Sequence, residues 1–193
     1  MSSDKNPPLL GLGLVHWPCW NQNGEVIATN VTNFDIHDIA RSCRSFGITK
    51  YYIINKVREQ LMFVHRVLDH WRVGEGSEHN PQRRHAVEMV DTAETLELAL
   101  ARFSEKPLVV ATSAQTRAEY PQISFGQLKE RIWCDPSRPV FLVFGTGWGL
   151  TDDVLKMCDY VLPPIRGSSI DDYRHLSVRA AVAIVLDRLL GQP

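Results

Sequence analysis

The chain has 193 residues, 44% of them hydrophobic and 22% charged, enough to bury a sizeable core and close to the usual limit of one domain. Its formal net charge of −1 gives no global attraction to nucleic acid, so a polyanion would have to be held by local patches. No stretch approaches the roughly 18 apolar residues of a membrane span, and Met1-Ser2-Ser3-Asp4-Lys5-Asn6-Pro7-Pro8 lacks a signal peptide's basic-then-apolar layout, so no membrane association and a cytoplasmic location are expected.

Apolar runs of strand length alternate with segments of helical period throughout. That pattern predicts an α/β fold with a mostly parallel, six-stranded sheet flanked by helices, as a single domain over residues 1–193. In chain order the spacing predicts a strand at 9–15, a helix at 34–46, a strand at 50–55 and a helix at 58–71. The segment 73–84, rich in glycine and charge, reads as a mobile loop, either a solvated connector or a substrate contact through Arg83, Arg84 and His85. A strand at 85–90, a helix at 92–103, a strand at 108–111 and a helix at 125–133 follow, then a strand at 140–144, a helix at 152–157, a strand at 160–162 and a helix at 175–190. Asp91 with Glu94, and Ser124 with Gln127, have capping-box spacing. Asn33 and Thr151 are expected N-caps, and Gly47 and Gly191 stand where helices should stop. The cysteines at 19, 43, 134 and 158 are too scattered for a CxxC pair, which points to reduced thiols.

The most informative stretch is an apolar strand running into Phe144-Gly145-Thr146-Gly147-Trp148-Gly149-Leu150. Glycine lets a backbone approach a ligand and tolerates positive φ. The turn has no Gly-Lys-Ser/Thr ending for a P-loop, and it follows the fifth strand, whereas a Rossmann fingerprint follows the first. Ala111-Thr112-Ser113 and Leu162-Pro163-Pro164-Ile165-Arg166-Gly167 also follow buried strands. Ligands in open parallel sheets collect beyond the carboxyl ends of the strands, so these three loops can converge on one pocket, with Leu162 and Ile165 holding a flat base.

These loops, and the segment Asp35-Ile36-His37-Asp38-Ile39-Ala40-Arg41-Ser42-Cys43-Arg44-Ser45-Phe46-Gly47, resemble the SPOUT superfamily of S-adenosylmethionine-dependent RNA methyltransferases. The SpoU branch carries Asn-x-Gly-x-Ile-x-Arg-Thr-x-x-x-Phe-Gly in its first helix, and Ile39, Arg41 and Phe46-Gly47 keep its register. The resemblance implies an α/β fold with a deep C-terminal trefoil knot, a bent S-adenosylmethionine gripped by three loops, an RNA substrate (tRNA or rRNA) and a homodimer. It places Ala111, Thr112, Ser113, Phe144, Gly145, Thr146, Gly147, Leu162, Pro163, Ile165, Gly167, His175, Leu176, Ser177 and Ala180 around the cofactor. The sequence departs from the SpoU pattern in three places. The glycine-loop glutamate is missing, the helix-opening asparagine has no counterpart in His175-Leu176-Ser177-Val178, and Asp35 replaces the first-motif asparagine. The acceptor, ribose 2′-oxygen or base nitrogen, is therefore open.

Arg41, Asp35 and His175 are the candidate catalytic residues. Arg41 suits phosphate or sugar positioning better than base catalysis, because guanidinium stays protonated. Asp38, spaced i,i+3 from Arg41, would orient it or merely form a surface pair. His175 would contact the cofactor, exchange a proton, or hydrogen-bond to backbone. No HExxH occurs, and His16 with Cys19 is a lone pair of ligand types, so no metal is expected. The rival readings are a catalytically inactive SPOUT-fold protein that binds RNA, and a nucleotide-binding Rossmann-like enzyme.

Overall fold

The computed structural model describes residues 9–75 and 80–192. Six strands form a sheet in the order β5-β4-β1-β7-β6-β8, with every neighbouring pair parallel. They are β1 (Leu10–Val15), β4 (Lys50–Ile54), β5 (Val90–Ala93), β6 (Leu108–Ala111), β7 (Val140–Gly145) and β8 (Tyr160–Val161). The helices are α1 (Asn33–Ser45), α2 (Arg58–Arg72), α3 (Pro81–Val87), α4 (Leu96–Leu100), α5 (Phe125–Cys134), α6 (Asp152–Lys156) and α7 (Val178–Leu190). Strand order reverses between β1 and β7, paired from Leu10 with Val140 to Val15 with Gly145, and such a switch point opens a crevice at the strand carboxyl ends.

Each face of the sheet is a separate core. Leu10, Leu12 and Leu14 join Leu142 and Phe144 under α1, α2, α3, α5 and α7, whereas Phe141, Val143 and Val109 face α4 and α6. Strand periodicity places Gly11 and Gly13 on that second face, and Phe141 fills the space they leave. A Cβ on Gly13 would lie 2.7 Å from the Phe141 ring.

Several expected elements differ. Residues 85–90 are not a strand. Pro81 at the first helical position and Asn80, whose side chain accepts from the Arg83 N–H, start α3, and β5 begins only at Val90. The same helix removes residues 81–84 from the expected mobile loop, of which 76–79 lie outside the described residues. The helix expected at 92–103 is the short α4, because Thr95 caps it by accepting from Leu98 N–H. Asp91 forms no capping box with Glu94; it lies in β5, accepts from Thr92 N–H at 2.7 Å and pairs with Arg102.

Helix α1 is capped by Thr32, in a reciprocal box with Asp35, and not by Asn33. The Ser124–Gln127 box forms as the spacing predicts. Thr151 occupies the N-cap of α6, yet its hydroxyl makes no capping bond. Helix α7 begins three residues later than expected, at Val178, with Ser177 accepting from Ala180 N–H at 3.3 Å. A small antiparallel hairpin was not anticipated: β2 (Cys19–Trp20) pairs with β3 (Val26–Ile27) beyond the end of β1. Two residues per strand give too short an alternation to register as a pattern.

Candidate functional site

The loops after β6, β7 and β8 meet, together with residues 171–178, around a cavity of about 880 Å³, inside the roughly 300–1,000 Å³ range of small-ligand sites. Its polar wall includes Thr112, Ser113 and Arg117. Its apolar wall includes Phe144, Leu162, Ile165 and Val185.

The glycine turn is held from behind. Gly147 and Gly149 have φ of 59° and 110°, conformations that side chains disfavour. Trp148 N–H donates to Trp20 O and Trp20 N–H to Gly149 O, both at 2.9 Å, so the β2–β3 hairpin clamps the turn. Contact is close enough that a Cβ on Gly147 would lie 2.9 Å from Trp20 O. Thr146 adds a buried polar link. Its hydroxyl donates to Val15 O at 3.0 Å and lies 2.6 Å from that of Thr29, which in turn is 2.8 Å from His16 Nδ1. His16 is buried, and desolvation lowers its pKa to about 4 against the opposing pull of Asp35.

The other loops are tied to the sheet. Thr112 N–H and its hydroxyl both donate to Val143 O, at 2.9 and 3.1 Å, and Leu162 N–H donates to Ala111 O at 2.9 Å. Residues 169–176 form a polar strap. Ser169 bonds Asp171, Arg174 pairs with Asp172, and the Tyr173 and His175 rings stand 5.7 Å apart. Asp172 has φ of 51°, and the Arg174 hydrogen bond holds its carboxyl below the usual range.

Eleven of the residues expected around a cofactor line this cavity: Thr112 and Ser113, Phe144 to Gly147, Leu162, Pro163 and Ile165, and His175 and Leu176. Ala111, Gly167, Ser177 and Ala180 do not line it; Ala111 ends β6 in the core, Gly167 is exposed, and Ser177 caps α7. Arg117, Phe125, Trp148 and Tyr173 also line it, although none was named individually among the expected cofactor contacts. The polar run Thr112 to Arg117 after a buried strand was the available signal for Arg117, whereas Phe125 opens a helix whose placement only the tertiary fold reveals.

Asp35 and Arg41 lie on α1, outside the cavity lining. Asp35 is buried, accepting from the Thr32 hydroxyl at 2.6 Å and from its N–H at 3.0 Å. Asp38 orients Arg179 and not Arg41: Arg179 Nη1 donates to it at 2.7 Å while Nε stands 3.9 Å from Asp35 Oδ1. The helix spacing was right, but α7 packs on α1 and supplies a better-aligned cation. Arg41 is exposed near a basic and aromatic cluster. There Arg83 stacks 4.5 Å from the Trp71 ring centre, and His37 and His70 meet that ring edge-on. Burial and then Arg83, with Arg41 and His70 adding, hold the His37 pKa below its ordinary value despite Asp38.

A family model described as SAM-dependent RNA methyltransferase matches residues 10–191. The chain belongs to this family. It is 40% identical over 182 residues to a tRNA (guanine-N(1)-)-methyltransferase of Oleidesulfovibrio alaskensis, covering 92% of this chain but 41% of that relative. The chain thus spans about two fifths of that protein's length. An uncharacterized protein of Aquifex aeolicus is 38% identical over 186 residues, covering 94% of this chain and 88% of its own. Among solved structures, a putative methylase family protein from Neisseria gonorrhoeae superposes with a TM-score of 0.65 at 16% identity, over 96% of this chain and 83% of that one, which shows a shared fold.

Proposed function

We propose that this chain transfers a methyl group from S-adenosylmethionine to a nucleotide of tRNA or rRNA. The observation that carries the reading is the convergence of three sheet-end loops on one cavity with a glycine-tight wall and an apolar side. The residues fit such a cofactor: Phe144, Leu162 and Ile165 offer apolar surface to an adenine, the backbone from Gly145 to Gly147 lines the cavity, and Arg117 supplies charge for its polar end. When bound, the cofactor supplies an electrophilic methyl carbon on a sulfonium.

The chain's own task is to hold an acceptor in line with that carbon and to exclude water, which can account for most of the rate. His175, exposed beside Tyr173 at the cavity, is placed to exchange a proton with the acceptor. Arg41, with Arg83, His37 and His70 close by, is suited to hold RNA phosphates, and it supplies the local patch that a chain of net charge −1 needs. Asp35 is a positioning residue in this scheme, fixing the start of α1 and drawing in Arg179.

The reading includes a knotted C-terminus. β8 lies between β6 and residues 121–123, bonded through Val161 N–H to Pro121 O at 2.8 Å and Ile123 N–H to Val161 O at 3.2 Å. The loop leaving β6 therefore straddles β8, and the chain beyond β8 returns to pack α7 against α1, α5 and β7. A route beneath that loop accounts for both facts. The exposed Phe34, Ile170, Tyr173 and Leu176 support a homodimer, and the chain is read as a cytoplasmic protein.

The decisive experiment incubates the protein with unmodified tRNA or rRNA and methyl-labelled S-adenosylmethionine, followed by mass spectrometry of the nucleosides. Label in one methylated nucleoside is the expected outcome. Cofactor and RNA binding without transfer would replace this reading with the inactive RNA-binding one, which the full engagement of Asp35 in capping favours.

A further inference from the structure

Arg117 is the least satisfied cation of the cavity. Its Nε is buried and meets no acceptor among the described residues. The side chain is only 20% exposed, and its ion-pair partner Glu119 is 3.8 Å away, too far for a hydrogen bond. The other lining cation, Arg174, is already matched by Asp172, and Asp171 is occupied by Ser169. A buried charged donor without an acceptor is costly enough that native structures nearly always supply one.

The loop that carries the guanidinium is also held in place. Gln122 Nε2 donates to Arg117 O at 2.7 Å, and Tyr120 N–H donates to the same oxygen at 3.1 Å, so the loop backbone beneath it is fixed. A planar fork on a fixed loop, with its Nε–H unpaired, matches a carboxylate, which accepts two parallel bonds. If the cavity holds S-adenosylmethionine, the reading on which this inference rests, the cofactor brings one such group on its amino-acid end.

We propose that Arg117 binds that carboxylate and thereby selects the intact cofactor over adenosyl thioethers that lack it. The burial of Nε in the cavity lining argues for a small ligand's carboxylate over an RNA phosphate, although both are oxyanions.

The test is calorimetric and needs no turnover. Two ligands are titrated into the wild type, Arg117→Met and Arg117→Lys: S-adenosylhomocysteine, and S-adenosyl-3-thiopropylamine, which keeps the amine and lacks the carboxylate. Arg117→Met should weaken S-adenosylhomocysteine by about tenfold or more and leave the decarboxylated ligand within about twofold, with Arg117→Lys in between. Equal weakening of both ligands would make Arg117 a structural wall residue and overturn the proposal. Unchanged S-adenosylhomocysteine affinity with weakened tRNA binding would assign Arg117 to a phosphate instead, and overturn it equally. Failure of both ligands to bind the wild type would sink the cofactor reading itself. Thermal melts of the variants separate lost binding from lost fold.

Discussion

The hydroxyls of Thr29 and Thr146 lie 2.6 Å apart, joining the end of the β2–β3 hairpin to the glycine turn that walls the cavity. Because Thr146 donates to Val15 O, it accepts from Thr29, and Thr29 then accepts from His16, which fixes the Nδ1–H tautomer. Thr146→Val removes this junction at nearly constant volume and leaves the Thr29 hydroxyl without its closest partner. The expected cost is about 1–3 kcal/mol of stability, with several-fold weaker S-adenosylhomocysteine binding. Thr146→Ser should retain both, and urea unfolding with calorimetry measures them.

His16 makes stability depend on pH. Its pKa falls from 6.5 to about 4 on folding, so between those values the unfolded chain binds more protons. The contribution is whole above pH 6.5 and is lost as the solution is acidified toward pH 4, by roughly 3 kcal/mol at 1.4 kcal/mol per unit. His37, depressed in the same direction, adds to the slope. Urea midpoints across this range should fall in the wild type and fall less in His16→Gln; parallel curves would remove His16 from the account.

Gly147→Val should abolish cofactor binding. The substitution demands positive φ from a β-branched residue and drives its Cβ to 2.9 Å from Trp20 O, so the turn must part from the hairpin. No detectable binding of S-adenosylhomocysteine, with far-UV circular dichroism preserved, is the expected result.

Asp35→Ala should act on stability first. It deletes one half of the α1 capping box and one partner of Arg179, at a cost of about 1–2 kcal/mol. Asp35→Asn keeps a capping oxygen and should recover most of the loss. A collapse in methyl transfer by Asp35→Asn at unchanged stability would instead make Asp35 a group that touches the reaction.

Arg41→Ala should weaken tRNA binding across sequences and reduce the slope of log affinity against log salt by about one. Binding of S-adenosylhomocysteine to the same variant should stay within about twofold, since Arg41 lies outside the cavity.

Long, buried parallel strands were legible because each forms a continuous apolar run, and the three cavity loops were legible because polar, glycine or proline residues follow those runs. Around β5 the reading failed. His85 to Val90 looks like a strand by apolarity, yet Asn80 and Pro81 start a helix, and four residues suffice for the real strand. Pairings across the chain were also hidden. The carboxylate of Asp38 finds Arg179, 141 positions away, where helical spacing pointed to Arg41. The hairpin that clamps Gly147 is too short for periodicity to reveal, although it determines how the turn is held.

The central place of β1 has a consequence for how the protein is made. Leu10 to Val15 is the first strand of this sheet to be translated, and it needs β7, 130 positions later, to cover its second edge. At about 5–20 residues per second, that edge stays open on the order of ten seconds on the ribosome. Slow decoding between the two strands should therefore lower the yield of folded protein more than the same delay placed after Gly145.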